Sequence, residues 1–116
     1  MNAKSDAIYE MLRGMVERGV PVDGVGLQMH QGAPNGDIPL AEFVENMNRL
    51  AALGLEVLIS EMDIHTCLGK TPEEQRQEYH DIVAACVALP ECPAVTFWGI
   101  TDQYSRLKNK TTSAVL

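Results

Sequence analysis

Aromatic residues are scarce in this sequence, at 5% of the chain, and its apolar residues never run long. No stretch approaches the roughly 18 consecutive apolar residues of a membrane-spanning helix, so no membrane span is expected. Basic residues are also few. Nine Lys and Arg stand against sixteen Asp and Glu, a formal net charge of −7. Nucleic-acid binding rests on clustered Lys and Arg, and this balance argues against it. Three cysteines are too few for a disulfide scaffold, and no pair of CxxC motifs offers a zinc site. Cys86 and Cys92, flanking Leu89-Pro90-Glu91, could close a small loop or remain two buried thiols. Cys67 has no evident partner. The start, Met1-Asn2-Ala3-Lys4-Ser5-Asp6, lacks the apolar run of a secretory signal. GxGxxG and GxxxxGK[ST] are absent, which removes the usual nucleotide-binding loops. HExxH and the GxSxG elbow are absent too, leaving little support for a metalloprotease or serine-hydrolase site.

What remains is an ordinary globular balance in 116 residues, 46% of them hydrophobic, enough for one domain with a core. Residues 4–18 read as a helix with Ile8, Met11, Leu12 and Met15 on one face, stopped by Gly19 and Pro21. Residues 22–30 read as a strand, a reading that its glycines weaken unless another backbone packs closely against it. Residues 31–36 are turn-rich. A second helix should begin near Pro39 with Asp37 as its cap, present Leu40, Phe43, Val44, Met47, Leu50 and Ala51, and end at Gly54. Residues 55–60 form a strand ending in Glu61-Met62-Asp63-Ile64-His65. Thr71-Pro72-Glu73-Glu74 is a capping box that opens a third helix, running to about Leu89. Residues 94–98 form a third apolar strand. Apolar strands separated by amphipathic helices imply a parallel sheet covered by helices, either doubly wound or part of a (β/α)8 barrel. A full barrel needs ~250 residues, so the expectation is a partial one. Its two open sheet edges would permit self-association.

In both architectures ligands meet the carboxyl ends of the strands. That rule selects Gln28 and His30, then Glu61, Asp63 and His65, then Trp98 and Asp102. Alternate residues of an extended segment share a face, so Glu61, Asp63 and His65 could point together. Each residue has a plainer reading. Glu61 could be a solvated strand-end carboxylate, His30 a structural histidine and Trp98 part of the core. Asp102 could merely fix a turn, and His65 reads as an exposed loop residue. Two histidines and two carboxylates could also hold a divalent ion, although no ligand pair has the spacing that would favour it.

Taken together, three segments resemble glycoside hydrolase family 10, the endo-1,4-β-xylanases. Residues 19–30, ending Gln28-Met29-His30, resemble the family's sixth strand. Leu58-Ile59-Ser60-Glu61-Met62-Asp63-Ile64 resembles its seventh-strand nucleophile motif, and Val95-Thr96-Phe97-Trp98-Gly99-Ile100-Thr101-Asp102 resembles the eighth. The resemblance implies an α/β fold, a partial (β/α)8 TIM barrel covering approximately strands 6–8. Residues 1–116 would be a C-terminal fragment of the catalytic barrel, with a divergent or truncated tail over 106–116. It implies a retaining mechanism with Glu61 as nucleophile, His30 hydrogen-bonded to it and Asp63 orienting His30. Gln28 and Trp98 would contact the sugar. It further implies a Cys86–Cys92 disulfide, no cofactor, no metal, a xylan or xylo-oligosaccharide substrate, and a secreted, extracellular parent.

Retaining hydrolysis needs a second carboxyl group, roughly 5–5.5 Å from the first. In the family it follows the fourth strand, and no corresponding segment occurs here. The expectation is that the 116 residues alone do not turn over substrate. The alternatives are a non-catalytic half-barrel that binds carbohydrate or a partner, and a metal-dependent hydrolase barrel.

Overall fold

The computed structural model describes residues 2–32, 36–66 and 69–104. Its elements alternate: α1 (Ala3–Glu17), β1 (Gly24–Leu27), β2 (His30–Gln31), α2 (Leu40–Ala51), β3 (Glu56–Ile64), α3 (Pro72–Ala88) and β4 (Val95–Phe97). A short 3-10 helix, Asp102–Tyr104, follows.

Among the described residues each pairing between these strands is parallel and involves β3. β1 and β2, separated only by Gln28 and Met29, run along successive lengths of β3; β4 also pairs with it. The single strand expected over residues 22–30 is thus broken in two. Met29, buried with φ 68°, turns the chain at the break. Around Gly24 another backbone does pack closely, the condition under which a glycine-containing strand holds. A Cβ on Gly24 would lie 2.9 Å from the carbonyl oxygen of Glu56, so any larger residue would push β1 off β3.

The core lies between one face of the sheet and the three helices. Val57, Ile59, Met62 and Ile64 project into it from β3 at 0% exposure, against Phe43, Met47 and Leu50 of α2 and Tyr79, Ile82 and Cys86 of α3. Burying each such side chain stabilises by about 1.5–3 kcal/mol, which makes β3 the element on which the fold depends most. Leu12 is the one buried residue of α1, and the expected Met11 instead lies exposed.

The helix ends follow local chemistry, with one correction. Asn2 caps α1 by accepting from the Ser5 amide, and Thr71 with Glu74 forms the expected capping box of α3. Asp37 does not cap α2. Pro39 occupies the N-cap position, without a side-chain hydrogen bond, and Asp37 pairs with Lys70 instead. Cys86 and Cys92 are joined as a disulfide beneath the end of α3. Cys67 and the tail over 106–116 lie outside the described residues. Among the described residues no helix is long and apolar enough to cross a membrane. The sheet is open, a partial (β/α)8 barrel with strands flanked by helices.

Candidate active site

Strict alternation along β3 would put Glu61 on the face of Val57 and Ile59, inside the core. A bulge prevents this. Leu27 pairs with Ile59 and His30 with Asp63, so Gln28 and Met29 stand opposite three residues, Ser60, Glu61 and Met62. Ile59 pairs with Val95 and Met62 with Phe97, so Thr96 alone stands opposite Ser60 and Glu61. The amides record the same shift. Those of Val57 and Ile59 donate to the carbonyls of Glu91 and Ala94, which both precede β4. Those of Glu61 and Asp63 donate the other way, to Gln28 and Met29. An extra residue in a central strand reverses the side-chain alternation beyond it. Met62 therefore takes the core position, and Glu61 and Asp63 share the opposite face.

His30 lies between them. Its Nδ1 is 2.7 Å from Asp63 Oδ1, and its Nε2 is 3.3 Å from Glu61 Oε2. The Asp63 side chain is only 1% exposed, whereas that of Glu61 is 27% exposed and reaches solvent. A buried carboxylate needs a hydrogen-bonded partner, and the His30 ring supplies one while fixing its own orientation. The other ring nitrogen is thereby aimed at the accessible carboxylate.

Trp98 follows β4, with its amide donating to the Met62 carbonyl at 2.9 Å. Its indole meets the His30 ring edge-on, with centroids 6.4 Å apart and planes at 76°. At 43% exposure it lies at the surface beside His30 rather than in the core. Gln28 is exposed at the end of β1, and its carbonyl holds the Glu61 amide. Five of the residues selected from the sequence thus converge where the strands end. Asp102 opens the 3-10 helix beyond them.

His65 departs from expectation. It is 5% exposed rather than a solvated loop residue, because the Gly32 backbone packs on it. Behind the site lies a polar layer that sequence reasoning missed. Gln31, 1% exposed, accepts the Ile38 amide at 2.8 Å, and its carbonyl accepts from His65. The Ile64 amide donates to the Tyr79 hydroxyl, and the Ile64 carbonyl accepts from Gln75. Lys70 joins Asp37 and Glu78. Only the position of Gln31 beside His30 could have drawn attention to it. Among the described residues no three His, Cys, Asp or Glu side chains gather as a metal-binding group.

An open parallel sheet flanked by helices, with polar residues gathered at its carboxyl ends, is part of a (β/α)8 barrel. The chain belongs to glycosyl hydrolase family 10, whose family description matches residues 1–116. Endo-1,4-beta-xylanase B of Thermotoga neapolitana is 39% identical over 109 residues, covering 90% of this chain and 31% of that protein. An endo-1,4-beta-xylanase of Agaricus bisporus is 38% identical over 106 residues, covering 89% of this chain and 31% of its own length. Among solved structures, xylanase 10B from Thermotoga petrophila RKU-1 in complex with xylobiose superposes with TM-score 0.86 at 36% identity. The match covers 100% of this chain and 37% of that one. Native xylanase 10B from Thermotoga maritima gives TM-score 0.82 over the same shares, also at 36% identity. The chain therefore spans about a third of the length of the relatives it matches.

Proposed function

We propose that these residues form the nucleophile side of a retaining endo-1,4-β-xylanase site. Glu61 attacks the anomeric carbon, His30 donates to the Glu61 carboxylate and steadies it, and Asp63 holds His30 in register. Gln28 offers a polar contact to a sugar hydroxyl, and Trp98 offers its face to the apolar face of the ring. The observation that carries the reading is His30 placed between a buried and an accessible carboxylate, with Trp98 at its edge. The likeness to a xylanase solved with xylobiose supports xylan or xylo-oligosaccharides as substrate.

On this reading the general acid is supplied by a part of the barrel other than strands β1–β4. Asp63 is buried and engaged by His30. Glu42 and Glu45 lie on α2, and Glu56 starts β3 at the end away from the site. None of these four is placed to serve as the second carboxyl group, which a retaining mechanism needs roughly 5–5.5 Å from the first. The 116 residues alone should accordingly show negligible turnover. An extracellular setting suits both the substrate, a polymer, and the Cys86–Cys92 disulfide.

The test joins this chain in frame to the preceding part of the Thermotoga neapolitana relative and assays hydrolysis of xylo-oligosaccharides. Glu61→Ala should lower kcat by at least ~10⁴-fold, as removal of a nucleophile does elsewhere. Formate or azide, filling the space left by the carboxylate, should restore part of the turnover. Undiminished activity in Glu61→Ala would sink the assignment.

A further inference from the structure

Lys70 stands apart from the carboxylate–histidine site, between the loops that leave it. Its side chain is 13% exposed and meets Asp37 Oδ1 at 3.0 Å and the Glu78 carboxylate more closely still. Asp37 belongs to the segment between β2 and α2. Lys70 belongs to the segment between β3 and α3, directly before the Thr71 cap, and Glu78 lies two turns into α3. One ammonium thus joins the connections that follow the two strands carrying His30, Glu61 and Asp63. Burial opposes the charge, but the hydrogen bonds to Glu78 and Asp37 outweigh it and hold Lys70 above the ordinary lysine range.

The bridge leads back to the site through few bonds. Asp37 precedes Ile38, whose amide is held at 2.8 Å by Gln31, and Gln31 follows His30 directly. Gln31 is itself packed at 1% exposure, so the loop cannot shift at Ile38 without disturbing the end of β2. Two carboxylates left without the ammonium would repel, and Glu78, about a fifth exposed, would be left with its charge poorly solvated.

We propose that Lys70 is a positioning residue, which clamps the β2–α2 and β3–α3 connections through Asp37 and Glu78 and so sets the placing of His30 against Glu61. The role rests on the catalytic reading above, but the clamp has its own observable. In the 116-residue chain, Lys70→Met should raise amide exchange at Ile38 by at least about tenfold while Val57 and Ile59 in β3 keep their protection. Lys70→Arg should retain most of the protection. Asp37→Asn, a milder change at an exposed carboxylate, should accelerate Ile38 in the same way, and Lys70→Met added to it should do little more.

In the completed barrel, Lys70→Met should lower kcat by about tenfold with less change in KM, because small displacements of reacting groups cost rate more than binding. Lys70→Arg should recover much of it. Unchanged exchange at Ile38 in both Lys70→Met and Asp37→Asn would overturn the clamp whether or not the barrel is active. Faster exchange with unaltered kinetics in an active barrel would overturn its link to His30. A completed barrel inactive even with Lys70 and Glu61 intact would count against the xylanase reading, and the exchange result would then decide the clamp alone.

Discussion

Gly32 shows how narrowly single residues are constrained behind the site. Its φ of +91° lies in the left-handed region, and a Cβ there would stand 2.8 Å from the Cβ of His65. Any side chain must therefore both strain the backbone and displace a buried neighbour. Gly32→Ala should destabilise the chain by about 1–3 kcal/mol, read as a lower urea midpoint with an unchanged slope. Glu61, Asp63 and His30 were legible in the sequence because polar residues at the ends of apolar strands are conspicuous. His65 and Gln31 were not, because nothing local distinguishes a buried polar residue from a loop one. Their partners, Gly32 and Ile38, are set by the path of the chain beyond β2.

At the scale of elements, α3 owes its start to a few side-chain bonds. Thr71 accepts from the Glu74 amide, and Glu74 accepts from the Thr71 amide and hydroxyl. Thr71→Ala should cost about 1 kcal/mol, measured by thermal or urea unfolding. Hydrogen bonds first from the Thr71 backbone and then from its hydroxyl hold the Glu74 carboxyl below the usual value of 4.5. A depressed carboxylate stabilises the fold above its unfolded pKa, and that contribution disappears as pH falls through the folded one. Amide protection in the first turn of α3 should decline in acid, and Glu74→Gln should flatten that dependence. The capping box was readable from four consecutive letters. The bulge in β3 was not, since it exists only in the register between β3 and its neighbours on both flanks.

For the molecule as a whole, β3 sits between flanking strands, while among the described residues the outer flanks of β1 and β4 pair with no strand. Phe97 in β4, and Ile100 and Tyr104 in the segment that follows it, lie exposed. Unpaired edges beside apolar side chains favour association, so the chain alone should elute as more than a monomer in size-exclusion chromatography. Joining it to the preceding barrel strands should return it to a monomer. The disulfide is a local staple, closing a loop between residues six apart in sequence. In the chain-entropy account so short a loop is worth about 2 kcal/mol. Cys86→Ser should lower stability by about that much, with the circular-dichroism spectrum of the folded chain unchanged.

The sequence by itself determined the alternation of helices and parallel strands, the capping box of α3 and the cluster of polar residues at strand ends. Those features follow from periodicity and short-range hydrogen bonding, which a chain specifies within a few residues. Only the tertiary structure decided that Glu61 faces the site and Met62 the core, because a one-residue bulge has meaning only against paired neighbours. It likewise decided that Asp37 serves Lys70 rather than α2, and that Gln31 and His65 are buried. These pairings join residues distant in sequence, and burial depends on which elements the sheet brings together.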